Sequence, residues 1–180
     1  MRSTLAACGV LLATAAMSSG CGAKPADDVG RVVAAGGVDF SATLGVADVA
    51  PGEVNTVHIT GLCVKGSGDG VVTAVEAAPN SGLVVRRFTV LKEMAEVGGA
   101  KDSFENLGLE SDRRAVEQKC GKGIAGSALY VEIEPSGSKS VHSPYLTIES
   151  EVAGINNSFR YPLGLTLCVV GEKNAKFCKE

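Results

Sequence analysis

Two histidines, 20 carboxylates and six cysteines are the groups in this 180-residue sequence best suited to proton transfer, metal ligation or covalent chemistry. Neither histidine has a partner at metal-ligand spacing. His58 stands between Thr56 and Thr60 on the polar side of an alternating stretch, and His142 lies in a turn before Ser143-Pro144. Both are expected to be solvated, with His142 plus Asp69 or a glutamate as the runner-up set for a metal. Glu132, Glu134, Glu149 and Glu151 alternate with apolar residues, which places all four on one expected sheet face. Paired carboxylates cleave glycosides when they stand about 5–10 Å apart. A chain with 3 Tyr, 5 Phe and no Trp is poor in platforms for a sugar, so a solvated acidic face carrying Tyr130 and Tyr145 is expected instead. No serine occupies a Gly-x-Ser-x-Gly elbow. The stretch Gly66-Ser67-Gly68-Asp69-Gly70 lacks the Lys-Ser/Thr pair and following helix of a phosphate cradle and reads as a turn. No catalytic residue, metal site or cofactor is assigned.

The N-terminus carries a different chemistry. Arg2 precedes an uncharged run over residues 5–17, then Ser18-Ser19-Gly20 and Cys21. A basic start, an apolar core of 7–15 residues and a small-residue exit describe a secretory signal. The run is too short to span a bilayer, which takes about 20 apolar residues. Gly20-Cys21 resembles a bacterial lipobox, in which the Cys becomes the first residue after cleavage and its sulfur carries a diacylglyceryl group. The match departs from the usual pattern at Ser18, where Leu is common. Ordinary secretion with cleavage near Ser18 or Ser19 is the alternative. Two or three acyl chains, palmitate among them, would hold the protein at a membrane without a spanning helix. Cys8 belongs to the apolar core of the signal. The domain expectation is therefore a lipoprotein signal peptide over 1–20, a lipidated Cys and tether over 21–37, and one domain over 38–180.

Cys63, Cys120, Cys168 and Cys178 then remain, an even number in an exported chain, which argues for disulfides. No Cys-x-x-Cys supports zinc or a redox dithiol. Of three connectivities, strand alternation favours one. Cys168 and Cys178 flank an expected hairpin turning at Glu172-Lys173-Asn174, and Cys63 and Cys120 fall at the same end of the fold. The expected bridges are Cys63–Cys120 and Cys168–Cys178.

The elements that position these groups read as strands. Val57, Ile59 and Cys63 share one face of 53–64, and Leu129, Val131 and Ile133 share one face of another segment. Leu146, Ile148 and Val152 alternate with polar residues, and the odd positions from Phe159 to Val169 form the longest period-two run. Segments 38–46, 70–78 and 83–92 also read as strands. A hairpin turning over 153–156 would set Arg160 opposite Glu149 or Glu151. The stretch 95–126, bounded by glycines, breaks the rhythm, and Ser111 could cap a helix over 111–119. The expected fold is all-β, an immunoglobulin-like β-sandwich of about seven strands with one short helical insertion.

Gly61-Leu62-Cys63-Val64, Gly70-Val71-Val72-Thr73-Ala74-Val75, Phe104-Glu105-Asn106-Leu107-Gly108 leading to Cys120, and Tyr161-Pro162-Leu163-Gly164-Leu165-Thr166-Leu167-Cys168 carry a family likeness. Over residues 40–170 the chain is similar to exported lipoproteins or secreted β-sandwich proteins of unassigned function from high-GC Gram-positive bacteria. The resemblance implies an extracytoplasmic setting and brings no catalytic residues.

A formal charge of −3 gives no basic footprint for nucleic acid, and Arg86-Arg87 and Arg113-Arg114 are isolated surface pairs. The functional expectation is a non-enzymatic binding or structural module of the cell envelope. It would sit on the extracytoplasmic face of the cell membrane through lipid on Cys21, with an envelope protein, polymer or solute as partner. A metal- or small-ligand-binding accessory lipoprotein is the alternative, followed by an envelope hydrolase.

Overall fold

The computed structural model describes residues 29–37, 42–95, 101–172 and 176–178; the signal, Cys8 and Cys21 lie outside the described residues. Those residues form eleven strands: β1 (Arg31–Ala34), β2 (Ala42–Val49), β3 (Asn55–Lys65), β4 (Gly70–Ala77), β5 (Leu83–Leu91), β6 (Ala115–Val116), β7 (Ser127–Pro135), β8 (Val141–Ser143), β9 (Leu146–Val152), β10 (Ile155–Tyr161) and β11 (Leu163–Val169). They pair into two four-stranded antiparallel sheets, ordered β1-β3-β7-β5 and β10-β9-β4-β6. A third sheet, β2-β11-β8, joins β2 parallel and β8 antiparallel to β11. The fold is all-β.

One apolar core draws on all three sheets: Val57, Leu129, Val131 and Ile133 from the first, Val72, Ile148 and Val152 from the second, Leu165 and Leu167 from the third. Each such side chain withdrawn from water contributes about 1.5–3 kcal/mol before chain entropy is charged against it. β-branched residues dominate this set, which suits the pleated surface.

The strand pattern departs from the sequence expectation in four places, each with a local cause. The described residues form eleven strands rather than about seven, and residues 31–34, expected within the tether, pair with β3. A bulge at Ile59 in β3 shifts the alternation, so Leu62 and Val64 join Val57 and Ile59 in the core cluster, while Cys63 does not. The β9–β10 turn takes two residues, Ala153 and Gly154, both at positive φ (50° and 80°), instead of four. Arg160 therefore opposes Thr147, with Ser158 and Asn156 opposite Glu149 and Glu151, and its guanidinium lies 4.7 Å over the Tyr145 ring. The long period-two run is cut at Pro162, which has no N–H for a ladder, and the chain changes sheets there.

The expected helix over 111–119 is absent; that segment is extended and works as a strap. Val90 N–H in β5 donates to Arg113 O and Val72 N–H in β4 donates to Arg114 O, both at 2.9 Å. β6 pairs with the start of β4, Val64 N–H donates to Gln118 O, and Cys120 N–H donates back to Val64 O. The strap thus reaches strands of both four-stranded sheets, and the Cys63–Cys120 disulfide locks its end to β3. Partners distant in sequence outbid the local capping signal, because each of them satisfies an otherwise orphaned backbone group.

Preceding the strap, residues 101–110 cover the outer face of the first sheet. Phe104, Ala128 and Tyr130 form a second buried cluster there, with Leu91, Ala95 and Leu109 packed against it. Glu132, on β7, is 2% exposed. Its carboxylate accepts from Arg87 Nε and from Arg87 Nη2 (2.9 Å), and also from the backbone N–H of Phe104. Arg87 further bonds Glu105. Thr56 and Thr89 hydroxyls donate to Asp102 O and Glu110 O, and Tyr130 OH donates to Ala95 O. The face expected to be solvated and acidic is thus roofed, because a carboxylate there finds three donors.

Two stability measurements follow. Glu132→Ala, which leaves Arg87 with Glu105 alone and orphans the Phe104 N–H, should cost about 3 kcal/mol in urea unfolding. Glu134→Ala, whose Arg86 partner sits 3.5 Å away at the surface, should cost below about 1 kcal/mol. Removing the Cys63–Cys120 bridge, with its separation of 57, should cost about 4 kcal/mol, against about 3 for Cys168–Cys178 with its separation of 10. Equal losses within either pair of variants would contradict the roof or the strap.

Candidate ligand groove

β1 and β10 are each one edge strand of a four-stranded sheet, and both line one surface groove. β1 is built from Arg31-Val32-Val33-Ala34 and enters beside the turn after β3. Gly30 makes this entry feasible: its N–H donates to Ser67 O at 2.9 Å, and a Cβ there would stand 2.1 Å from the same oxygen. Val29 bridges to Ser67, so the described chain starts at the groove's end.

The groove has two adjoining lobes of about 450 and 670 Å³, which share Arg31, Lys65 and Asn157. Val33 and Phe159, both partly exposed, supply apolar surface in the first lobe beside the buried Val32 and Ala34, with Arg160 at its margin. Val29, Gly66 and the half-exposed Ile155 line the second. No carboxylate lines either lobe. Arg31 and Lys65 are directly opposite in the β1–β3 ladder. Like charges in that relation repel and are destabilising, and among the described residues neither has an ionic partner. Glu149 and Glu151 belong to the outer face of β9 and line a separate depression or open surface.

A second cavity of about 370 Å³ lies on the first sheet between His58, residues 92–94 and residues 123–126. His58 is half-buried, opposite Tyr130 in the ladder, with ring centroids 5.1 Å apart. Burial pushes its pKa below the ordinary value, partly offset by a hydrogen bond with the Thr60 backbone. This differs from the solvated histidine expected from the alternating pattern, since the flanking Thr56 and Thr60 are buried as well. Gly61 permits the close approach of the 121–126 segment, where a Cβ would meet Ala125 O at 1.8 Å.

The remaining sequence candidates are dispersed. His142, on β8, contacts Thr166 Oγ1 through Nδ1 at 2.9 Å and lies 5.5 Å from the Phe177 ring. It stands on a different sheet from His58. Asp69 is in an exposed turn, and no three of His, Cys, Asp and Glu are grouped for a metal among the described residues. The four glutamates do not share a face: Glu132 is roofed and Glu134 pairs with Arg86 on the first sheet, while Glu149 and Glu151 are exposed on the second. The basic pairs are absorbed by the fold, Arg87 on Glu132, Arg113 on Glu110 and Glu117, Arg114 over the Phe88 ring at 3.6 Å. Cys63 bonds Cys120, and Cys168 bonds Cys178, the latter residue in a bend and not on a paired strand.

Arg31 and Lys65 lie far apart in sequence and become neighbours only through β1, in a stretch whose composition suggests a tether. The Val32-Val33 pair after Gly30 was the available signal for a strand there. No protein-family model, curated protein or solved structure matches the chain.

His58 provides a pH test of the second cavity. Its folded pKa lies below the ordinary 6.5. As pH falls through about 6.5, the unfolded chain gains a proton that the folded one resists, so stability decreases toward acid. Urea midpoints at pH 7 and pH 5 should differ less in His58→Gln than in the parent. An unchanged difference would mean that His58 is not shielded.

Proposed function

We propose that the chain is a non-enzymatic binding module of the cell envelope, exported and held by lipid on Cys21 at the extracytoplasmic face of the membrane. The observation that carries this reading is the groove between two sheet edges, lined by apolar side chains and by two cations with no ionic partner among the described residues, beside Val29 where the described chain starts. A binding surface with a few charged groups over an apolar floor suits ligand capture, and the dispersal of the histidines and glutamates offers no acid–base pair. Two disulfides agree with an oxidising compartment. The fold that goes with this reading is an immunoglobulin-like sandwich, supported by two antiparallel sheets sharing one core.

Detergent phase partitioning tests the anchor. The native chain is expected in the detergent phase with the mass of added acyl chains on Cys21, and Cys21→Ala in the aqueous phase. Equal partitioning of the two, or a mature mass beginning near Ser18 or Ser19 without lipid, would overturn the anchored reading.

A further inference from the structure

We propose that the groove between β1 and β10 takes the phosphodiester headgroup of an anionic phospholipid in the adjacent bilayer, with Arg31 and Lys65 as its cationic clamp. Three observations lead there. The fold places the two cations face to face across the β1–β3 ladder with no carboxylate lining the groove among the described residues, an arrangement that costs stability until an anion sits between them. A phosphodiester bears one negative charge and acceptor oxygens for both a guanidinium and an ammonium. Beside the clamp, Val33, Phe159 and the 48%-exposed Ile155 present apolar surface suited to the glycerol and upper acyl region.

The chain outside the described residues sets the distance. Cys21 and Val29 are eight residues apart, so a fully extended tether spans at most about 29 Å. Val29 itself lines the groove. This step rests on the anchored reading of Cys21, under which the groove mouth is confined within that distance of the bilayer surface. Lipid anchoring and headgroup capture would then act together, the first supplying local concentration and the second orientation.

The test uses the full mature chain as Cys21→Ala, so that the anchor cannot mask the groove. Vesicles of pure phosphatidylcholine are compared with vesicles containing about one-third phosphatidylglycerol, by flotation at ~0.15 M salt. Near an anionic surface each cation strengthens attraction about fivefold, so Arg31→Ser/Lys65→Ser should weaken flotation on the phosphatidylglycerol vesicles roughly thirtyfold. The exposed pair Lys122→Ser/Lys139→Ser, remote in sequence, should leave flotation within about twofold of the parent, as a groove-specific effect requires. Removing the opposed charges should also leave the thermal midpoint unchanged or higher, which separates lost binding from lost folding.

Equal flotation on both vesicle types would overturn the proposal, as would equal weakening by the two double variants. Binding of soluble glycerol phosphate without flotation would also overturn it, in favour of a free phosphoryl solute. Because the chain tested has no Cys21, failure here leaves the partitioning result standing, and failure of the anchor leaves this result standing.

Discussion

A carboxylate withdrawn from water must be paired on nearly every lone pair, and Glu132 imposes that condition on the first sheet. Its position on β7 is central in the ladder, between β3 and β5. Arg87 comes from β5, while the Phe104 N–H comes from the covering segment. Satisfying one side chain therefore brings 101–110 down onto the sheet, and the Thr56 and Thr89 hydroxyls follow by capping carbonyls of that segment. Phe104 is then buried against Ala128 and Tyr130, which adds an apolar contribution that the ion pair alone would not provide.

Closure of that face shapes what is left open. The strap over 111–120 continues from the roof, crosses to the second sheet and ends in the Cys63–Cys120 bridge beside β3. Lys119 also donates to Gly68 O in the turn that borders the N-terminal entry. The first sheet is in this way tied to the start of the second by backbone bonds and to the strap by a disulfide, with a buried ion pair under the roof. Beside these ties, the edge strands β1 and β10 keep an open groove, where like charges oppose each other. Consistency in most of the structure and a local conflict at one edge is the pattern expected where a surface serves a ligand.

Alternation exposed most strands in the sequence, and the inward residues of β7, β9 and β11 belong to the core as their period implies. Period alone could not show the bulge at Ile59, which adds one residue to one strand and reverses the faces beyond it. Nor could it distinguish a solvated polar face from a roofed one. Glu132 and Tyr130 alternate like surface residues, and only the tertiary approach of 101–110 buries them. The Ser111 capping signal was genuine chemistry outweighed by bonds to Val64, Val72 and Val90, far off in sequence. The groove was the least legible feature, because its two cations meet only through β1, a strand that four residues are barely long enough to announce.

The most direct measurement is hydrogen–deuterium exchange of the full mature chain with and without phosphatidylglycerol vesicles. A ligand groove at the β1 and β10 edges predicts slowed exchange confined to residues 29–34, 65–67 and 155–160, with the roof over 101–110 unaltered. Slowing centred instead on 92–95 and 121–126 beside His58, or no slowing in any of these segments, would contradict the account.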